Sequence, residues 1–177
     1  EAGAALDLLT GPWLEPLSGE RLRVSPLVAD AGVKTLSKAE QLVVHSAVAE
    51  SLSTGERLNT NDLPQLLLSS MRAGSRQGLE VVVHAALLGK VPDAIVARVL
   101  YPLAFMRTDR VLFASVPAVN VMLRVAQVKV AALNELANEA EQAFKRLEEE
   151  VMHVRGGKVL RDTAAFRSAI TRASVWA

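Results

Sequence analysis

Residues 115–157 read SVPAVNVMLRVAQVKVAALNELANEAEQAFKRLEEEVMHVRGG. Within them Val119, Leu123, Ala126, Val130, Leu133, Ala137, Ala140, Phe144, Leu147, Val151 and Val154 recur at alternating steps of four and three. Such a stripe, kept over about five heptads, is the pattern of one continuous helix face. No Gly or Pro falls between Pro117 and Gly156. The spacing therefore predicts a single helix over 116–155, of about 38 residues and roughly 57 Å at about 1.5 Å per residue. Its first half adds Val121, Val125, Val128, Ala131 and Ala132, so it is apolar on most sides and should be buried. Its second half carries Glu135, Glu139, Glu141 and Glu148-Glu149-Glu150 and keeps one apolar stripe. That half should cover the edge of the core or project beyond it.

Upstream, the chain from residue 37 reads as helical hairpins. Ser37 and Glu40 form a capping box ahead of Leu42, Val43, Val44, Ala47, Val48 and Leu52. Asn61-Asp62 opens a helix over Leu63 to Ala73 that Gly74 closes, and Ser75 opens another that Gly89 stops. Pro92-Asp93 starts a further helix, interrupted at Tyr101-Pro102. Residues 103–114 allow either another helix or an irregular link through Thr108-Asp109.

The first part of the chain differs. Residues 2–10 read as a helix end, stopped by Gly11-Pro12. Leu22 and Val24 alternate with Arg21 and Arg23 after a Pro-Leu-Ser-Gly turn, which predicts a small β-hairpin. Trp13 is expected to fill the space between that hairpin and the helix. Ser18-Gly19-Glu20-Arg21-Leu22 returns as Thr54-Gly55-Glu56-Arg57-Leu58, a spacing of 36 residues that helix-hairpin repeats also show. The flanking residues do not match, so two similar turns explain the echo better.

Composition narrows the function classes. Half of the 177 residues are hydrophobic and 4% are aromatic, so the core is built from Ala, Val and Leu. The absence of cysteine excludes disulfides and thiolate chemistry and suits a reducing, cytoplasmic setting. Net charge is +1, so no bulk field draws the chain to nucleic acid or a membrane. EAGAALDLLT has no basic n-region, so no signal peptide is expected.

Chemistry-bearing motifs are missing. Gly89-Lys90 and Gly157-Lys158 lack the other residues of a phosphate loop, and no GxGxxG, GxSxG or HExxH occurs. The sequence thus predicts no enzyme, no cofactor and no metal. His84 with Glu80, and His153 with Glu149, read as weak surface pairs one helical turn apart. His45 reads as a packed histidine on the stripe Leu42, His45, Ala49, Leu52.

The strongest interaction signal is a charge split. Arg155, Lys158, Arg161, Arg167 and Arg172 against Asp162 make the last segment basic, next to the acidic half of the long helix. Asp162-Thr163 caps a terminal helix there. Phe144, Leu147 and Val151, with those five basic residues, are the candidate interaction residues. Docking of the terminal segment on the acidic half is one reading; contact with nucleic acid through the basic residues is a weaker one, because no aromatic platform accompanies them.

One stretch is similar to a known family. Arg21-Leu22-Arg23-Val24-Ser25-Pro26-Leu27-Val28, then Leu36-Ser37-Lys38-Ala39-Glu40, then His45-Ser46-Ala47-Val48-Ala49-Glu50-Ser51-Leu52 resemble STAND-class signal-transduction NTPases of the NB-ARC and maltose-activator type. The resemblance covers about residues 5–52, where those proteins pass from a winged helix into a helical array. It implies a regulatory segment downstream of the NTPase, since the ATPase motifs are absent here. Gly11 to Val24 also resembles the opening of a plakin repeat, over a shorter stretch.

The sequence therefore predicts a mainly α chain of antiparallel helix hairpins, solenoid- or bundle-like. A winged-helix-like remnant spans 1–33, and a helical domain with the long helix spans 37–177. The expected role is a non-catalytic segment that binds a protein partner or its own kind. The alternative is a coat or scaffold subunit that self-assembles through the long heptad helix.

Overall fold

In a computed structural model, residues 14–16, 22–24, 36–55 and 59–154 are described. The chain divides into two compact units, Glu1–Val44 and His45–Ala177, with the division inside one helix. In the first unit, β1 (Leu14–Pro16) pairs antiparallel with β2 (Leu22–Val24), with Leu14 opposite Val24 and Pro16 opposite Leu22. The expected terminal helix over 2–10, Trp13 and the tail beyond 154 lie outside the described residues.

Helix α1 (Lys38–Thr54) begins at the expected capping box. Ser37 N–H donates to Glu40 Oε2 at 2.7 Å, and Glu40 N–H donates back to Ser37 Oγ at 3.3 Å. These bonds satisfy donors that a helix start leaves unpaired. The first apolar residues after the cap, Leu42, Val43 and Val44, stay 49%, 68% and 47% exposed, while Leu52 further along packs against the core.

The second unit is a helical bundle, and the described residues of the chain are mainly helical. A 3-10 turn over Thr60–Asp62 leads into α2 (Leu63–Ala73), followed by α3 (Arg76–Leu87), α4 (Asp93–Val99) and the short α5 (Tyr101–Ala104). The stop and start signals of the sequence account for these boundaries. Gly74 caps α2 in the left-handed region at φ 67°, and Ser75 Oγ accepts from Gly78 N–H to open α3. Helices α2 and α3 meet at Gly78, where a Cβ would stand 2.0 Å from Ser70 Oγ. The hydrogen there lets the two helices close on Leu66 and Leu79, both wholly buried.

The single helix expected over 116–155 is not formed. The stretch folds as a hairpin of α6 (Pro117–Leu133) and α7 (Ala137–Met152), turning at Asn134-Glu135-Leu136. Glu135 takes a left-handed backbone, φ 60°, the conformation that glycine usually supplies at such a stop. Glu135 N–H bonds to Ala132 O at 3.2 Å and Leu136 N–H to Ala131 O at 3.0 Å, closing the carbonyl end of α6. Asn134 Nδ2 donates to Val130 O and, across to α4, to Ala97 O. The heptad stripe survives the turn because each half needs an apolar face toward the other. Ala140, Ala143, Leu147 and Val151 of α7 are buried, and Phe144 is half-buried.

Helix α6 is the axis of the bundle, contacted by α3, α4, α5 and α7. It is buried on nearly every side, as its composition requires, from Val119 through Ala132. It also carries polar residues into that core: Asn120, Arg124, Gln127 and Lys129. Lys129 Nζ, 8% exposed as a residue, donates to Ala86 O at 2.8 Å and pairs with Asp93 at 2.8 Å, tying the end of α3 to the start of α4.

Candidate functional site

The segment between α5 and α6, residues 105–116, is irregular, the second of the two options the sequence left open. A loop this long needs partners for its carbonyls and amides. Side chains of α6 and α7 supply them. Arg124 is 0% exposed, and all five of its N–H donors are used. Nε donates to Glu150 Oε2 (3.4 Å); Nη1 donates to Arg107 O (3.2 Å) and Gln127 Oε1 (2.6 Å); Nη2 donates to Arg110 O and Glu150 Oε1 (both 3.0 Å).

The rest of the cluster is equally saturated. Gln127 Nε2 donates to Met106 O (2.7 Å) and Ala104 O (3.3 Å). Asn120 Oδ1 accepts from Leu112 N–H (2.9 Å) and Phe113 N–H (3.0 Å), and its Nδ2 donates to Glu150 Oε2 at 2.8 Å. Six backbone groups between Ala104 and Phe113 are therefore held by three side chains of α6. A buried ion pair contributes little net stability by itself, because desolvation offsets attraction, but it fixes geometry when every partner is satisfied.

The wall so fixed borders a cleft of about 470 Å³. Val111, Phe113, Pro117 and Val154 give it an apolar lining; Arg146, Glu149, Glu150 and His153 give it a polar side. Arg146 bridges the two acids, with Nη1 to Glu149 at 2.7 Å and Nε to Glu150 at 3.1 Å. The hydrogen bond that Arg146 donates to Glu149 is the main reason its guanidinium holds its proton more tightly than usual, against the effect of burial. A second recess of about 300 Å³, lined by Thr108, Asp109, Gln142 and Lys145, shares Arg146 and Glu149 with the first. There Arg107 Nε bonds Asp109 at 2.9 Å, and this hydrogen bond lowers the Asp109 carboxyl below the usual range.

The predicted histidine pairs are not the ones formed. Glu80 is bonded by Arg76 at 2.7 Å, the neighbour one turn earlier, rather than by His84. Glu149 pairs with Arg146, while His153 Nδ1 meets the Glu149 backbone oxygen at 2.7 Å. In both cases a guanidinium, always charged and forked, competes better for the carboxylate than an imidazole does. His45 is half-buried, with Nε2 3.0 Å from Arg72 Nη1. Burial first, and the Arg72 charge second, hold its pKa below the ordinary histidine value.

Of the candidate interaction residues, Leu147 and Val151 lie in the core against α6, and Phe144 packs at its edge. Arg155, Lys158, Arg161, Arg167 and Arg172 lie outside the described residues. The residues that shape the cleft wall, Asn120, Arg124 and Gln127, stand in a stretch whose composition is apolar on most sides, and Glu150 in the acidic run of the second half. Three polar residues at positions 120, 124 and 127, steps of four and three inside an apolar helix, are the signal that marks them. Among the described residues no group of three or more His, Asp or Glu is placed to hold a metal ion. No helix among them is long and apolar enough to cross a membrane. Comparison with protein-family models, with curated proteins and with solved structures finds no match for this chain.

Proposed function

We propose that this chain is a non-catalytic protein-interaction segment, a helical array whose receptor surface is the cleft beside α7. The observation that carries the reading is the cleft's wall: Arg124, Asn120 and Gln127 hydrogen-bond the backbone between Ala104 and Phe113 beside an apolar lining. A wall set before binding lowers the ordering cost of taking up a partner segment. An apolar lining beside the Arg146–Glu149 pair, with Glu149 52% exposed on its side chain, favours an amphipathic helix that sets a basic residue against that carboxylate. The resemblance of residues 5–52 to STAND-class proteins supports a regulatory setting, downstream of an NTPase on the same or another chain.

The test is a titration of the isotope-labelled chain with a basic amphipathic model helix, a scrambled peptide and an acidic one. The basic helix should shift the resonances of Val111, Phe113, His153 and Val154, and Val111→Asp should abolish the effect. No shift, or equal shifts with all three peptides, overturns the reading. Calorimetry with ATP should show no binding; micromolar binding would point to nucleotide chemistry instead.

Self-assembly as a structural subunit is the second reading. The long heptad helix no longer supports it, because the stripe is consumed within the α6–α7 hairpin. The exposed Leu42, Val43 and Val44 of α1 support it instead. Light scattering of Val43→Glu against the parent chain separates the two: assemblies lost on substitution favour this second reading.

A further inference from the structure

Residues 45–54 of α1 belong to the second unit, and Ala49 is the buried residue among them. Leu52 adds a partly buried side chain packed against the core, whereas α3 buries seven residues. A segment with so little buried apolar surface opens locally at small free-energy cost, so a single polar contact decides whether it stays seated. His45, Ala49 and Leu52 stand at steps of four and three and share the less exposed face of the helix.

The polar contact on that face is poorly suited to a charged histidine. His45 Nε2 lies 3.0 Å from Arg72 Nη1 of α2. An arginine only donates, so Nε2 accepts and the ring's proton sits on Nδ1. Nδ1 is closed off from solvent and finds no hydrogen-bond partner among the described residues. A second proton, on Nε2, faces the Arg72 N–H groups and leaves a charged ring with neither nitrogen paired. Such a ring regains partners only by reaching water. Neighbouring charges give no relief. Arg72 is the one charged residue of α2, and α1 carries Lys38, Glu40 and the exposed Glu50, with Glu40 bonded to Ser37.

We infer that His45 is an acid-operated latch: protonation of its ring releases residues 45–54 from α2 and turns the face of Ala49 and Leu52 outward. The latch goes beyond the docking reading and does not depend on the cleft. It adds an apolar surface that is covered at neutral pH and offered in mild acid. Burial, then the Arg72 charge, make the seated ring harder to protonate than the released one. Seating is therefore complete above the ordinary histidine pKa of about 6.5 and is lost as pH falls through the lowered value. The opening constant of the segment rises at most about tenfold per pH unit, and by up to about 25-fold from about pH 7 to about pH 5.

Segment-resolved hydrogen exchange on the full chain, corrected for the pH dependence of free-peptide rates, reads this opening. From about pH 7 to about pH 5 the amides of residues 46–54 should lose protection by between about threefold and about 25-fold, while those of α3 and α6 keep theirs. His45→Gln should keep the segment seated at both pH values, since its carboxamide oxygen accepts from Arg72 and does not titrate. Unchanged protection of 46–54, parallel loss in all helices, or a loss that persists in His45→Gln overturns the inference. Titration of the ring by NMR needs no variant: His45 should titrate below about 6.5, and a midpoint at or above that value overturns the latch. In Arg72→Met the midpoint should rise; an unmoved midpoint shows that the Arg72 contact does not act on the ring, and the latch fails.

Discussion

Arg124 of α6 and Glu150 of α7 meet at 3.0 Å across the hairpin, with side chains 0% and 7% exposed. Each then turns to the loop: Arg124 holds the carbonyls of Arg107 and Arg110, and Glu150 orients Asn120, which holds the amides of Leu112 and Phe113. The pair thus joins two helices and one loop at a single point. Arg124→Met should cost about 3–5 kcal/mol in urea unfolding, because the two carbonyls lose their donor and Glu150 loses a buried partner. Amide exchange over 105–116 should quicken in the same variant. A loss below about 1 kcal/mol would show that apolar packing, not this network, holds the loop.

Glu135 offers a test of the turn. Its φ of 60° is strained for any residue with a Cβ. Glu135→Gly should raise stability by up to about 1 kcal/mol, relief of strain outweighing the extra freedom of the unfolded chain. Glu135→Val should lower it. A destabilising Glu135→Gly would mean that the backbone there is helical and the hairpin is not formed.

The α2–α3 contact predicts a coupled pair. Gly78→Ala sets a methyl 2.0 Å from Ser70 Oγ and 3.1 Å from Leu66 Cδ1, and should cost about 1–3 kcal/mol despite the better helix propensity of alanine. Ser70 Oγ is buried and finds no hydrogen-bond partner among the described residues, so Ser70→Ala alone should be close to neutral. Together the two should recover most of the loss. Additive effects in the double-mutant cycle would show that the helices do not approach at Gly78.

His45 predicts a pH dependence with a definite sign. Arg72 only donates, so His45 Nε2 must accept, and the ring is neutral in this contact. Its folded pKa is lowered, so the unfolded chain binds the proton more readily. Stability from this contact is complete above the ordinary histidine pKa of about 6.5 and falls as pH drops through the lowered folded value. His45→Gln should remove that slope: the stability difference between wild type and variant should shrink from about pH 7 to pH 5. A difference that stays flat, or widens in acid, contradicts the contact.

The ends of α2, α3 and α4 were legible because they are set locally. A serine whose oxygen reaches an N–H three residues on, or a glycine that accepts positive φ, acts within one turn of chain, as Ser75 and Gly74 do. The buried character of α6 was legible for a similar reason: apolar residues on all its sides have no stable place but the core. The turn at Glu135 was not legible, since a heptad stripe describes which face is apolar and not what covers it. A single helix paired with another element and a helix folded back on itself present the same pattern. Choosing between them depends on whether α3, α4 and α5 leave room beside α6 for α7, and that is a property of the assembled bundle.

The candidate site lay further still from the sequence. Arg124 and Glu150 are 26 positions apart; helical spacing points each to a neighbour on its own helix, Gln127 and Arg146, and to nothing across the hairpin. Glu150 stands in a run of three glutamates of which Glu148 and Glu149 are exposed and only it is buried. Local sequence set the ends of α1 to α4 and the acidic charge of α7, because propensity, capping and charge act through neighbours. Tertiary structure alone decided that α6 and α7 fold against each other, that Arg124 is desolvated, and that loop 105–116 becomes the wall of a cleft. Each of those depends on atoms brought together from distant segments, whose desolvation and pairing have no counterpart in the unfolded chain.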